Sequence, residues 1–258
     1  MAKIPWLIAH RGANKQAPEN TNTAFEQALR YPVDGLETDV QMTKDGIPVL
    51  YHDRTLFKVM KKRKQISDLT YHQLRELDWG SLYSSAFAKE PLLTLSEMLG
   101  SYAGRTRLMI EIKSRKPDQV SGKSSALTLK VLEELQKPEI YAHRKNIFVL
   151  SFDPAVLTLA HKNAPEFNYV LNLSNKAYDA TGYLSILEMD ATDIHHLYAF
   201  CVEIKNLSEN LTLFAHSHGK KIMTYVCNNT RQTNRALDFN VDAVMTDDPR
   251  WITTYFKL

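Results

Sequence analysis

Short apolar runs alternate with longer amphipathic segments along most of the chain. The runs are rich in β-branched and aromatic residues, which is typical of strands, whereas the segments between them repeat apolar positions every three or four residues, as helices do. The predicted strands are 6–10, 35–41, 47–53, 107–113, 146–152, 168–173, 197–204, 221–227 and 242–247. The predicted helices are 23–31, 95–102, 124–136, 154–164, 208–219 and 229–239, and Asp248 and Pro249 open a short C-terminal helix.

This alternation favours parallel strands joined by helical crossovers, and therefore an α/β fold. About eight strand and helix units in a chain of 258 residues match the size of a closed (β/α)8 TIM barrel. A doubly wound nucleotide-binding fold is disfavoured, because neither a Gly-x-Gly-x-x-Gly nor a Walker pattern follows the first strand. We expect a single domain over 1–258.

Residues 54–94 do not fit the repeating unit. They are too long for a loop between strand and helix, and Leu69, Leu74 and Leu77 form a helical pattern of their own. Loops of this length in a compact domain usually have a function. We therefore predict a small insertion after the second strand, at the mouth of the barrel.

Composition and charge narrow the possible functions. The chain is 44% apolar and 24% charged with a formal net charge of +3, which describes a globular protein with no long basic block. The one dense basic run, 61–64 (KKRK), is expected to be a solvated loop, so we predict no nucleic-acid partner. Cys201 and Cys227 are too few for a disulfide framework or zinc site. With no run of 18 apolar residues and no room for a leader before the first strand, we expect no stable membrane insertion and a cytoplasmic location.

Three carboxylates are predicted to converge in the barrel. Alternation along a strand puts Glu37 and Asp39 on one face of 35–41, and it puts Glu111 and Lys113 on the face of 107–113 opposite its apolar residues. Converging buried carboxylates repel one another unless a cation compensates them. Glu37, Asp39 and Glu111 therefore indicate an all-oxygen site for one divalent cation, Mg²⁺ or Ca²⁺. The alternative is that each carboxylate pairs with a nearby Lys or Arg.

Two histidines are predicted at the same rim. His10 ends the first predicted strand and His52 nearly ends the 47–53 strand, so both are expected at the carboxyl ends of strands, where barrel enzymes keep their chemistry. With Arg11 and Lys113 nearby, they suit phosphoryl transfer. One imidazole would remove a proton from the attacking hydroxyl, the other would protonate the leaving alkoxide, and Arg11 would hold phosphate oxygens in a fork.

Five segments, taken in order, resemble the glycerophosphodiester phosphodiesterase family. They are AHRGANKQAPENTNTAF, DGLETDVQMTKDGIPVLYHDRTL, LMIEIK, LSFDPAVL and DAVMTDDP, and the resemblance covers nearly the whole chain. It implies a TIM barrel with a small inserted subdomain, and metal-dependent hydrolysis of glycerophosphodiesters to sn-glycerol 3-phosphate and an alcohol. By motif, it implies that His10 and His52 are the acid–base pair. It also implies Glu37, Asp39 and Glu111 as metal ligands, with Arg11 and Lys113 on the phosphate.

The chain departs from the family pattern at two places. Where the family has a segment of the Trp-Thr-Val-Asn kind, this chain has Tyr225, Val226, Cys227 and Asn228. Tyr225 would then either lie against the substrate glycerol or simply pack in its strand. The segment 174–207 cannot be placed in register with the family, so no site residue is predicted there.

Two further functions are compatible with these residues. One is a related phospholipase acting on lysolipids or phosphoinositides, which would need an apolar rim of the kind that Leu56, Phe57, Val59 and Met60 could supply. The other is a catalytically idle barrel that binds a phosphorylated metabolite, although here every acid, base and metal position is filled. Both the glycerophosphodiester phosphodiesterase and the phospholipase would act on a small-molecule phosphodiester. Head-group preference and oligomeric state do not follow from the residues.

Overall fold

The computed structural model describes residues 4–173 and 191–258, without the side chains of Ala191 and Asp193. Within these ranges eight parallel strands form a closed barrel, because the first strand pairs with both the second and the last. This confirms the predicted fold class. The barrel strands are β1 (Trp6–His10), β2 (Gly35–Met42), β4 (Arg107–Ile112), β5 (Ile147–Ser151), β6 (Asn168–Leu173), β7 (Ala199–Glu203), β8 (Lys221–Tyr225) and β9 (Ala243–Thr246), and β3 (Pro48–Leu50) lies outside the ring.

Helices connect the strands and cover the outside of the barrel. Proline and side-chain caps start several of them: Asp153 and Asp248 each cap a helix whose first residue is proline. One helix ends at Ala28, three residues before the predicted end at residue 31. Residue 31 precedes Pro32, and a proline disfavours helical backbone in the residue before it. The helices are α1 (Asn22–Ala28), α2 (Phe57–Met60), α3 (Tyr71–Arg75), α4 (Leu95–Tyr102), α5 (Lys116–Val120), α6 (Lys123–Leu135), α7 (Pro138–Tyr141), α8 (Pro154–Asn163), α9 (Ala191–Ile194), α10 (Glu209–Ser217), α11 (Thr230–Asp238) and α12 (Pro249–Phe256).

Alternation along the strands separates two apolar clusters. Leu108, Ile110 and Ile112 of β4 face outward and pack with the helices in the larger cluster. Met109 points inward and joins a smaller cluster that fills the barrel. The interior face therefore continues from this apolar plug to the polar residues at the carboxyl ends of the strands.

The predicted strand 47–53 differs from the others. Only Pro48–Leu50 is a strand, and it runs antiparallel to β2, with Val40 opposite Leu50. The connection from Met42 is too short for a parallel crossover, and Asp45 with Gly46, whose φ is +83°, makes a tight turn. His52 still reaches the mouth, because β3 runs back along the part of β2 that extends beyond the barrel.

The segment that follows β3 has its own small apolar cluster. Leu56, Ile66, Leu69 and Leu74 are buried there with Val49 of β3, and Trp79 packs against them. The segment contains α2, α3 and two 3-10 turns, Ile66–Asp68 and Ser85–Phe87. All four residues of the basic run 61–64 are exposed.

Other features of the described ranges bear on the predictions. Cys201 and Cys227 are both buried, and neither forms a disulfide with a described residue. Of the helices in these ranges, none has the length and apolar character needed to cross a membrane. Much of the segment 174–207, for which no site residue was predicted, lies outside the described residues.

Candidate active site

A turn with left-handed backbone follows β1 and carries the first residues of the candidate site. Arg11 and Gly12 have φ values of +57° and +81°. A Cβ on Gly12 would lie 2.7 Å from the backbone carbon of Ala24, so this position tolerates only glycine. The turn aims the backbone N–H of Arg11 at Glu37, to which it donates a hydrogen bond of 3.1 Å. Non-glycine residues with this backbone conformation cluster at functional sites.

The structure brings the three predicted carboxylates together inside the mouth. Asp39 of β2 and Glu111 of β4 are paired neighbours in the sheet, and Glu37 lies one interior position before Asp39. All three are buried, and one oxygen from each lies within 4.8 Å of the others.

Two cations partly compensate these carboxylates, as the alternative interpretation expected. The Lys113 ammonium lies 2.7 Å from Asp39 Oδ1 and 2.6 Å from Glu111 Oε1. Arg11 Nε lies 3.1 Å from Asp39 Oδ2. Burial acts to raise the pKa of Asp39, but Lys113 and Arg11 outweigh it and hold that pKa below its ordinary value.

The negative charge around Glu37 is not fully balanced by these two cations. Burial, followed by the nearby Asp39 carboxylate, holds the pKa of Glu37 well above its usual range despite Arg11. Three carboxylates against two cations leave one formal negative charge in a buried, all-oxygen cluster. A hard divalent cation fits this donor set, with Glu37, Asp39 and Glu111 as its candidate ligands.

Two buried asparagines hold the carboxylates in place. Asn20 donates to Asp39 Oδ2 at 3.0 Å and accepts from Thr38, and its φ is +58°. Asn172 of β6 donates to Glu111 Oε2 at 3.1 Å, while its Oδ1 has no hydrogen-bond partner among the described residues. Such contacts orient metal ligands. Sequence reasoning missed both, although Asn20 lies in the segment AHRGANKQAPENTNTAF and Asn172 shares the interior face of its strand.

His10 is held by a carboxylate from the other end of the chain. Its Nδ1 lies 2.7 Å from Asp247 Oδ1, and its Nε2 lies 3.9 Å from Glu37 Oε2. Asn14 donates to the same Asp247 oxygen at 2.7 Å, and Asn228 donates to the other at 2.6 Å. Burial acts to raise the pKa of Asp247, yet these hydrogen bonds, with His10 the largest, keep it below its ordinary value.

The structure thus adds Asp247 to the residues that sequence reasoning had proposed. A carboxylate on Nδ1 selects the tautomer that presents Nε2 to the carboxylate cluster. The signal was present in the quoted stretch DAVMTDDP, where Asp247 follows β9 at the same rim, but spacing along the chain does not reveal its pairing with His10.

His52 is at the opposite side of the cluster and is more exposed. Its Nδ1 lies 3.0 Å from Asp53 Oδ1, and Lys58 holds the second oxygen of Asp53 at 2.8 Å. Burial, which outweighs the attraction of Asp39, lowers the pKa of His52. Potential ligand atoms of His52, Asp53 and Glu19 also lie within 4.8 Å of one another. Because Glu19 belongs to the β1–α1 loop, this loop lies beside His52.

The guanidinium of Arg11 is already partly engaged. Its NH1 donates to Glu19 at 2.9 Å, so the fork expected for phosphate is not wholly free. Its buried Nε–H is close to Asp39 but not directed at it, and it has no hydrogen-bond partner among the described residues. An unsatisfied buried donor beside the carboxylates is suited to an anionic oxygen.

Tyr225 lies at the carboxyl end of β8, next to Glu203 of β7. Its ring packs against the interior apolar cluster and lies edge-on to Phe152 at 6.4 Å between centroids. Its hydroxyl is 3.5 Å from the carbonyl oxygen of Leu173. The residue is half-buried at the mouth, so both predicted roles, glycerol contact and strand packing, are sterically open.

Comparison with known proteins finds relatives that are named glycerophosphodiester phosphodiesterase. The chain is 29% identical over 245 residues to a glycerophosphodiester phosphodiesterase of Caldanaerobacter subterraneus, covering 94% of each chain. It is 28% identical over 257 residues to a glycerophosphodiester phosphodiesterase of Bacillus subtilis, covering 94% of this chain and 83% of that one.

Solved structures share the fold. A putative glycerophosphoryl diester phosphodiesterase from Silicibacter pomeroyi superposes with a TM-score of 0.84 at 24% identity, covering 99% of this chain and 95% of that one. A phosphodiesterase from Oleispira antarctica, solved with its product sn-glycerol 3-phosphate, superposes with a TM-score of 0.80 at 23% identity, covering 99% and 98%. The model of the glycerophosphoryl diester phosphodiesterase family matches residues 10–250. The chain is therefore a member of the glycerophosphoryl diester phosphodiesterase family of enzymes.

Proposed function

We propose that this protein hydrolyses glycerophosphodiesters to sn-glycerol 3-phosphate and an alcohol, using one divalent cation and the His10 and His52 pair. The observation that carries the proposal is the buried cluster of Glu37, Asp39 and Glu111 between two histidines, each of which has its own carboxylate partner. The relatives named glycerophosphodiester phosphodiesterase and the product-bound structural neighbour support the substrate class.

The chain's own residues would bind the phosphodiester at the mouth. Arg11 offers its unsatisfied Nε–H, and the Lys113 ammonium, now on Asp39 and Glu111, offers a second positive charge. Glu37, Asp39 and Glu111 would hold Mg²⁺ or Ca²⁺, which when bound supplies positive charge to stabilise the phosphoryl transition state.

Two proton transfers complete the reaction. Asp247 keeps a proton on Nδ1 of His10, so that Nε2 is the nitrogen that exchanges a proton with the substrate. Asp53 orients His52 in the same manner on the other side. One ring takes a proton from the attacking water, whose oxygen forms the new bond to phosphorus, and the other protonates the alkoxide that leaves as its bond to phosphorus breaks. Tyr225 is proposed to contact the glycerol. The cytoplasmic location and the absence of a nucleic-acid partner remain predictions.

The test uses purified protein with glycerophosphocholine and glycerophosphoethanolamine, before and after exhaustive treatment with EDTA. We expect release of sn-glycerol 3-phosphate, loss of turnover after EDTA, and recovery with Mg²⁺ or Ca²⁺. The ion should also raise Tm, because it binds the folded state and brings positive charge to Glu37. Full activity after EDTA would contradict the metal, and no turnover of either diester would favour the idle barrel.

The histidines are tested by substitution. His10→Ala and His52→Ala should each lower kcat by a factor on the order of 10² to 10⁴ with Tm little changed. His72→Ala, on the exposed face of α3, is the matched control and should keep wild-type kcat. Near-normal turnover in either site variant would remove that residue from the mechanism.

A further inference from the structure

A small cavity lies on the β2 and β4 side of the barrel mouth. Its volume is about 160 Å³, and its walls come from the turn after β2, the start of α6, and Gln65 and Ser67 of the insertion. Lys113 belongs both to its lining and to the carboxylate cluster. The cavity therefore adjoins the candidate active site, and its volume, below the range of about 300 to 1,000 Å³ for drug-sized ligands, suits one small group of a substrate.

Basic side chains dominate the cavity. Lys44, Arg115 and Lys123 line it together with Lys113, and Asp118 is the one acidic residue among the described lining residues. Lys113 is paired with carboxylates of the active site, but no ion pair between described residues includes any of the other three cations. Even if Asp118 balanced one of these three, two positive charges of the cavity would lack a counter-charge.

The Arg115 guanidinium is half-buried and short of compensating charge. It makes no hydrogen bond or ion pair with a described residue. Burial lowers the pKa of Arg115 below its ordinary value, and Arg54 acts in the same direction, whereas Asp118 opposes them only in part. An anion would stabilise a cation in these surroundings, and the planar fork of an arginine fits the two oxygens of a carboxylate.

Lys113 and Arg115 are spaced to contact two groups of one substrate. The N–H of Lys113 donates to the Val40 carbonyl, which continues the pairing of β4 with β2, and the backbone of Arg115 is extended. Alternation along an extended chain puts both side chains on the same side, with their Cα atoms about 6 to 7 Å apart. A phosphodiester on Lys113 and an anionic group on Arg115 would therefore be separated by the length of a short head group.

The cavity lies across the mouth from Tyr225, the residue proposed to contact the glycerol. Tyr225 ends β8, Lys113 follows β4, and β4 is four strands from β8 in the eight-strand ring. A substrate whose glycerol is at Tyr225 would therefore direct its other alcohol, the leaving group, toward Arg115. The exposed basic run 61–64, which precedes Gln65 of the lining, adds positive potential on the same side.

We propose that this cavity is the subsite for an amino-acid head group, with the carboxylate of the head group on Arg115 and its ammonium on Asp118. The preferred substrates are then glycerophosphodiesters of an alcohol that carries a carboxylate beside an ammonium, as in glycerophosphoserine. The inference rests on the proposed function, since it names the alcohol that the proposed hydrolysis releases.

The kinetic test compares glycerophosphoserine with glycerophosphoethanolamine, which differ by one carboxylate. We expect kcat/KM to be about five- to tenfold higher for glycerophosphoserine, because a carboxylate on a half-buried guanidinium forms charge-assisted hydrogen bonds. Arg115→Gln should lower this preference by about threefold or more. Lys123→Gln, at an exposed position, should lower it by less. Arg30→Gln, an exposed arginine between α1 and β2, is the matched control and should keep the wild-type preference.

A binding measurement tests the subsite apart from turnover. Isothermal titration uses O-phosphoserine and O-phosphoethanolamine, which share the phosphate and again differ by one carboxylate. We expect O-phosphoserine to bind about threefold more tightly or better. This difference should be lost in Arg115→Gln and kept in Arg30→Gln, and added salt should reduce it, because salt screens the attraction between charges that solvent reaches.

The two measurements distinguish failure of the subsite from failure of the proposed function. Turnover of both diesters without a preference, together with equal binding of the two phosphate esters, would overturn the subsite and leave the proposed function standing. A preference that Arg115→Gln keeps would also overturn it, because the carboxylate would then be bound elsewhere. Tighter binding of O-phosphoserine that depends on Arg115, without turnover of either diester, would support the subsite and reject the proposed function.

Discussion

His10 and Asp247 are at opposite ends of the chain, yet their facing atoms are 2.7 Å apart. The closure of the barrel explains this, since β1 pairs directly with β9. The imidazole is thereby held by a residue whose pKa is kept low, so Asp247 remains a carboxylate and a hydrogen-bond acceptor. At the residue scale, the proposed chemistry depends on such partners as much as on the histidines themselves.

Asp247→Asn is expected to lower kcat by roughly 10² to 10⁴, because an amide N–H facing Nδ1 favours the wrong tautomer of His10. KM should change much less, and circular dichroism should report an intact fold. Asp238→Asn, at an exposed position on α11, is the matched control. A merely structural role for Asp247 would instead lower Tm and leave the kcat of the folded fraction unchanged.

Arg11→Lys should reduce kcat/KM by about tenfold or more. An ammonium cannot both hold Glu19 and direct an N–H at the phosphodiester, as the planar guanidinium can. Arg105→Lys changes an exposed guanidinium that donates to Glu26 and lies over the Tyr102 ring, neither of which belongs to the candidate site, and it should leave the kinetics unaltered. Unchanged KM and kcat in Arg11→Lys would mean that Arg11 does not contact substrate.

At the scale of elements, the turn after β1 sets the direction of the loop that carries Glu19 and Asn20. This loop packs so closely on α1 that there is no space for a Cβ at Gly12. The loop in turn supplies the partners of Arg11 and Asp39. A change in the turn should therefore affect stability and activity together.

Gly12→Ala should destabilise the protein by more than about 1 kcal/mol, because it combines a positive φ with a steric overlap on Ala24. Gly100→Ala is the contrasting control. Gly100 lies in α4, and a Cβ added there would meet open space, so alanine should stabilise the protein by about 0.5 to 1 kcal/mol. Equal Tm values for the two variants would contradict the steric argument.

At the scale of the whole molecule, Asp242 links three strands on the side of the barrel opposite the site. Its carbonyl accepts from Trp6 of β1, its carboxylate accepts from the Ile222 N–H of β8 at 3.0 Å, and it pairs with Lys221 and His216. We propose that residues 1–258 form one domain in which 54–94 is an insertion with its own small apolar cluster.

Asp242→Asn should lower stability by about 1 to 2 kcal/mol near neutral pH. Burial acts to raise the pKa of Asp242, but its hydrogen bonds, with Lys221 the largest, lower it. A depressed folded-state pKa means that the stabilisation is present above the unfolded pKa, about 3.9, and is lost as pH falls through the folded value. The Tm difference from wild type should therefore shrink below about pH 4, and a constant difference would contradict this assignment.

The alternation of strands and helices, and hence the barrel, could be predicted from the sequence alone, because apolar periodicity is a local property of the chain. The same local reasoning predicted that Glu37, Asp39 and Glu111 share the interior face, since side chains alternate along strands. The roles of these residues and of His10, His52, Arg11, Lys113 and Tyr225 remain proposals.

Which residues meet across the barrel depended on the tertiary structure. Asp247 beside His10, Asn172 on Glu111, and the ammonium of Lys113 between two carboxylates follow from which strands are neighbours and in which register. The antiparallel course of β3, which was predicted as one more parallel strand, depends on the turn before it and on the extension of β2. Closure of the barrel brings residues that are far apart in sequence within hydrogen-bond distance. The periodicity of apolar residues along the chain does not predict which of them will meet.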